Sequence, residues 1–126
     1  MNVLHIEHIG ISVNNLETSI PYYETILGLK CYTIEEVADQ KVKTAFFKIG
    51  YTKIELLEST NPEGLIEKYL ENKGLGIHHI PFAVNDVNDA LTELKSNGIR
   101  LIDKQGRKGA VGLTIGFCIP NQLLES

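Results

Sequence analysis

The chain has 126 residues, 43% apolar and 22% charged, which is the make-up of a soluble globular protein with enough core for one compact unit or two very small ones. A formal charge of −4 leaves no basic stripe to follow phosphates, which argues against a broad nucleic-acid surface, so any anionic ligand must be held by local charge. No apolar run approaches the roughly 18 residues that cross a bilayer, and no charged-then-apolar leader opens the sequence; a cytoplasmic location without membrane contact is expected. The only cysteines, Cys31 and Cys118, sit among apolar neighbours and read as reduced, buried thiols.

Residues 3–13 alternate, with Ile9, Ile11 and Val13 on one face and His8, Gly10 and Ser12 on the other, which predicts a half-buried strand. Asn14 with Glu17 signals a helix start, and Leu16, Ile20, Tyr23, Ile26 and Leu27 follow at helical spacing until Gly28. Proline belongs in a first turn, so Pro21 moves the expected start of regular helix to about Ser19. Strands are expected at 30–36, 42–49 and 53–58, the last two joined by a turn at Gly50-Tyr51. An amphipathic segment with Leu65, Ile66, Tyr69 and Leu70 on one face ends at Gly74 and Gly76. A strand then runs from Ile77 through Val84, with Ile80 and Phe82 on one side and His79, Pro81 and Ala83 on the other. Asp86 caps a helix burying Val87, Ala90, Leu91 and Leu94, closed by Asn97-Gly98. Strands are expected again at 99–102, 113–118 and 123–125, with a basic, glycine-rich loop from Lys104 to Gly112.

The two halves match when superposed. EHIGISVNNL falls on HHIPFAVNDV, so His8 lies over His79, and the helix-ending Gly28 lies over Gly98. A duplication of this kind predicts an α+β fold of two tandem βαβββ modules, about 1–60 and 77–126 with a connector at 61–76, forming one concave mixed sheet. It also singles out four residues. His8 precedes Glu55 by 47 residues and His79 precedes Glu125 by 46, so each half sets a first-strand histidine against a last-strand glutamate. Two imidazoles and two carboxylates brought to one sheet make a donor set for a first-row divalent ion. Strand parity places His79 on the same face as Pro81 and Ala83 and turns His78 towards the apolar face, against the helix.

These stretches, together with EEVADQKVKTAFFKIGYTKIELLEST and GIRLIDKQGRKGAVG, resemble the vicinal oxygen chelate superfamily, which includes glyoxalase I, extradiol dioxygenases and drug-sequestering proteins. Within it the combination of KIELLE, GIHHI and RLID is most similar to the methylmalonyl-CoA epimerase family. The resemblance implies metal ligands at His8, Glu55 and His79, a divalent ion (cobalt, manganese, nickel or zinc), an acyl-CoA substrate and a homodimer. It departs at the tail, where Phe117-Cys118-Ile119-Pro120 replaces a Phe-Leu-His-Pro run and the following turn is short. Glu125 keeps the repeat spacing and is the first choice for the fourth ligand; aligning NQLLE on IELLE puts Gln122 there instead.

The implied reaction is epimerisation at C2 of methylmalonyl-CoA. A cation on the thioester oxygen stabilises the charge left when the C2 proton departs, and inversion needs a base on each side of the planar carbon. Glu55 and Glu125 are the candidate catalytic carboxylates; the third-strand glutamate of some epimerases corresponds here to Thr44. Lys104, Arg107 and Lys108 are candidates for meeting coenzyme A phosphates, or form a plain solvated loop. The alternatives are a glyoxalase I-type lyase on the same metal frame and a non-catalytic binding protein with a degenerate metal site.

Overall fold

The structure is a computed structural model that describes residues 1–108, 114–116 and 118–119. Its elements run β1 (Val3–Ile6), β2 (His8–Ser12), α1 (Leu16–Thr25), β3 (Thr33–Val37), β4 (Val42–Ile49), β5 (Thr52–Ser59) and α2 (Leu65–Lys73). There follow β6 (Gly76–His79), β7 (Phe82–Val84), α3 (Val87–Ser96), β8 (Arg100–Leu101), β9 (Arg107–Lys108), β10 (Thr114–Ile115) and β11 (Cys118–Ile119). Three helices with mixed strands are the expected α+β class. By contact, the chain forms two compact units, His5–Phe82, and Met1–Leu4 with Ala83–Ser126.

The first unit is a five-stranded sheet in the order β3-β4-β5-β2-β6. β2 runs parallel to β5 and antiparallel to β6, while β3, β4 and β5 form an antiparallel meander. Alternation along the strands sorts side chains onto two faces. On one face Ala45, Phe47 and Leu56 pack with Val13 and Leu16, and Ile20 and Tyr23 of α1 lie against them. On the other, Val42 and Leu57 meet Ile66 and Leu70 of α2. That second face also carries His8, Thr44 and Glu55, all polar and all buried.

Helix α1 starts earlier than Pro21 suggests. Asn15 accepts from Thr18 N at 2.9 Å, and the Glu58 carboxylate accepts from Leu16 N at 2.6 Å, so two orphan N–H groups of the first turn are satisfied. Pro21 lies inside the helix. The cost of its missing hydrogen bond is offset by burying Leu16 and seating Ile20 and Tyr23 on the sheet. The chain leaves the helix through Gly28 at φ +70°, a left-handed conformation that suits glycine.

The strand expected across 77–84 is broken in two. β6 ends at His79 and β7 resumes at Phe82, because Pro81 has no N–H to give to a ladder. The first strand divides likewise at Glu7, whose N–H donates to Pro81 O at 3.0 Å while its carbonyl accepts from Lys53 N at 3.0 Å. β1 and β7 form a two-stranded ladder. In the second unit, Asp86 caps α3 by accepting from Asp89 N at 2.9 Å, and Ala90 and Leu91 are buried. β8 pairs with β11 and β9 with β10, both antiparallel. The strand expected at 123–125 lies outside the described residues.

Phe47 is wholly buried under α1, whereas Tyr51 is 85% exposed at the β4–β5 turn. Urea unfolding of Phe47→Ala is therefore expected to show a loss of about 3–5 kcal/mol, and Tyr51→Ala a change within about 0.5 kcal/mol.

Candidate metal centre

Register brings the site together. Gly10, on central strand β2, stands opposite Glu55 of β5 on one side and His79 of β6 on the other. Two residues back on the same face is His8, and Phe46 backs Glu55 from β4. Gly10 is required for this. A Cβ there would lie 2.7 Å from both Nδ1 and Nε2 of His79, so the imidazole occupies the space a side chain would fill. Lying over Gly10, the His79 ring reaches His8, with Nε2 to Nε2 at 3.0 Å and the rings edge to face.

The other nitrogen of His8 faces carboxylates. Nδ1 lies 2.9 Å from Glu7 Oε1 and 3.1 Å from Glu55 Oε2. Glu7 is in turn held by Lys53, whose Nζ is 3.3 Å from Oε1 and 3.1 Å from Oε2. Burial alone would raise the Glu7 carboxyl, but the hydrogen bonds from His8 and Lys53 outweigh it and hold it below the usual range. Glu55 lies deeper. Burial, reinforced by the charges of Glu7 and Glu35 and only partly opposed by Lys53, pushes its carboxyl up to about 7. Burial lowers His8 despite Glu7, and lowers His79 to about 4 with help from the neighbouring imidazoles. His8 approaches Glu55 closely, yet these directions favour a neutral imidazole beside an easily protonated acid over an ion pair. Desolvation decides here, since both groups sit on the buried sheet face.

Neutral imidazoles and a carboxyl that ionises readily once a cation arrives are the donor chemistry of a divalent metal site. Glu7, His8 and Glu55 each offer one ligand atom, all within 4.8 Å of one another. Two imidazole nitrogens 3.0 Å apart also suit adjacent ligands of one ion. The donor types present are those of the group that the sequence implies, with His79 facing His8 at Nε2 and both Glu7 and Glu55 facing it at Nδ1.

Of the four candidate residues, the structure brings His8, Glu55 and His79 together. Glu125 and the alternative Gln122 lie outside the described residues, as does part of the basic loop. Within that loop Arg107 Nε is 3.4 Å from Asp103, and Lys104 and Lys108 are exposed. Thr44 is buried and pairs with Glu35 across β3 and β4. Sequence reasoning missed Glu7, Lys53 and His78. Glu7 and His78 adjoin a candidate histidine, and strand parity assigns such neighbours to the opposite face. The parity fails at both because the strands are interrupted there. Cys31 is a free thiol, its Sγ 3.4 Å from Thr33 O.

Residues 7–117 match the family model of the Glyoxalase/Bleomycin resistance protein/Dioxygenase superfamily, and the chain belongs to that superfamily. An uncharacterized Bacillus subtilis protein, YqjC, is 38% identical over 93% of this chain and 84% of its own length. The human mitochondrial methylmalonyl-CoA epimerase is 32% identical over 94% of this chain and 68% of its own. Among solved structures, a methylmalonyl-CoA epimerase in complex with methylmalonyl-CoA and ammonium superposes with a TM-score of 0.91 at 29% identity, covering 96% of this chain and 88% of the other. Among the described residues, no helix is long and apolar enough to cross a membrane.

Two outcomes follow from the geometry. Gly10→Ala must push the His79 ring aside, so a crystal structure of that variant is expected to show the two Nε2 atoms beyond hydrogen-bond reach. Glu55 holds its proton more tightly folded (about 7) than at its ordinary value of 4.5, so its contribution to stability is complete below about 4.5 and lost as pH rises through about 7. Denaturant titrations of metal-free protein should show wild type losing on the order of 3 kcal/mol relative to Glu55→Gln across that window.

Proposed function

We propose that this chain is a metal-dependent epimerase acting at C2 of methylmalonyl-CoA or a close acyl-CoA. The observation carrying this reading is the convergence of His8, His79 and Glu55 on one buried face, the imidazoles in contact at 3.0 Å. The similarity to epimerases at about 30% identity over nearly the whole chain supports the substrate class. His8, Glu55 and His79 would hold a divalent ion (cobalt, manganese, nickel or zinc), with Glu125 completing the set on the strength of the repeat spacing. Such an ion supplies Lewis acidity toward the thioester oxygen.

The chain's own residues have distinct tasks in this reading. Glu7, kept ionised by Lys53, holds the Nδ1 proton of His8 and leaves Nε2 facing the ligand space. Glu55 and Glu125 are the carboxyl groups available for proton transfer, one as carboxylate removing the C2 proton and the other, protonated, delivering its own proton to the opposite side. Local positive charge for an anionic ligand is offered by Lys30 and Lys48, since Lys53 is paired with Glu7. With Tyr32 they line a cavity of about 500 Å³ that shares Lys53 with the site. A cytoplasmic homodimer, with both sequence repeats in one domain, belongs to the same proposal.

The test is proton exchange at C2 of methylmalonyl-CoA in deuterated water. Exchange is expected with the purified protein, abolished by chelator, restored by cobalt or manganese, and reduced at least about 100-fold in His8→Ala. No exchange under any metal, with turnover of a glutathione hemithioacetal instead, would move the assignment to a glyoxalase-type lyase.

A further inference from the structure

His78 is a half-buried imidazole to which the proposed ligand set gives no task. It was expected to turn away from that site, yet its Nδ1 lies 2.8 Å from Nδ1 of His79. The cause is a β-bulge. Gly10 of β2 pairs with His79, but the next residue, Ile11, pairs with Ile77, which leaves His78 as an extra residue on β6. A bulge breaks alternation and re-aims a side chain, and here it turns two successive histidines towards each other. The bulge is pinned from outside. Tyr69 of α2 donates its hydroxyl to Ile77 O at 2.7 Å, and its ring meets the His78 ring edge to face at 4.9 Å.

We propose that His78 is a positioning residue that fixes the tautomer and direction of His79 for cation binding, a role that rests on the metal site proposed above. The hydrogen bonds admit one consistent arrangement without a cation. His8 gives its Nδ1 proton to Glu7, so its Nε2 accepts from His79 Nε2–H, and His79 Nδ1 then accepts from His78 Nδ1–H. When His8 and His79 both turn Nε2 lone pairs to a cation, the His79 proton must sit on Nδ1, and His78 Nδ1 becomes its acceptor. His78 moves its own proton to Nε2. Three imidazole protons are present before and after, so no ring gains or loses charge. Without His78, the half-buried His79 Nδ1–H loses its protein acceptor in the loaded state, at a cost that falls on affinity.

The experiment uses zinc and the full chain. Long-range proton–nitrogen spectra of ¹⁵N-histidine protein are expected to show His78 protonated at Nδ1 without zinc and at Nε2 with it. Calorimetric zinc affinity is expected to fall roughly 10–100-fold in His78→Phe, which keeps a ring against Tyr69, and to recover largely in His78→Asn, whose Oδ1 can replace the Nδ1 acceptor. Thermal unfolding of both variants checks that the fold is intact. Wild-type zinc affinity in folded His78→Phe, or a His78 proton that stays on Nδ1 when zinc binds, overturns the positioning role alone. Failure of wild type to bind zinc, or full affinity in His79→Ala, overturns the site on which it rests.

Discussion

The site depends on an absence: Gly10 has no side chain at the centre of the sheet. β2 is flanked by β5 and β6, and in that register Gly10 lies between Glu55 and His79. The empty position lets the His79 imidazole fold across the middle strand to reach His8. Any side chain there would hold the two histidines apart, however well the strands paired. The parallel pairing of β2 with β5 supplies the other half of the constraint, carrying His8 and Glu55 onto the same face and within 3.1 Å of each other.

A sheet face that buries His8, Glu55 and Thr44 must satisfy each polar group from within, because water is excluded. The solution is a relay across the strands. Lys53 neutralises Glu7, Glu7 meets His8, His8 meets His79, and His79 meets His78. Among the described residues no buried side-chain nitrogen or oxygen lacks a partner. The same burial favours the neutral forms of the imidazoles and of Glu55, so the face is rich in donors yet carries little charge of its own. Burial penalises the charged forms of these groups, so a face that could offer ligands to a cation stays neutral and folded without one.

The fold and the site rest on different devices. α1 and the strand residues Ala45, Phe47 and Leu56 hold one face by ordinary apolar packing, a task many sequences can perform. The opposite face uses two irregularities, the break at Glu7 between β1 and β2 and the bulge at His78, to aim polar side chains that a regular strand would send the other way. Both adjoin a histidine of the site. Such interruptions weaken the ladder locally and re-aim the side chains beside them.

The repeat of EHIGISVNNL in HHIPFAVNDV was enough to set His8 over His79, and the spacing from His8 to the last strand of the first half pointed to Glu55. Alternation and caps likewise marked out β4, β5 and α3 closely. Hydrophobic period and helix-end chemistry are local, and local signals survive in a linear text. Glu7, Lys53, Gly10 and His78 were a different matter. Their importance comes from which strand lies beside which and where the register slips, and those are properties of pairing between residues far apart in the chain. Only the tertiary structure sets that pairing, since one residue of slip on β6 reverses the face of a histidine while leaving the sequence unchanged.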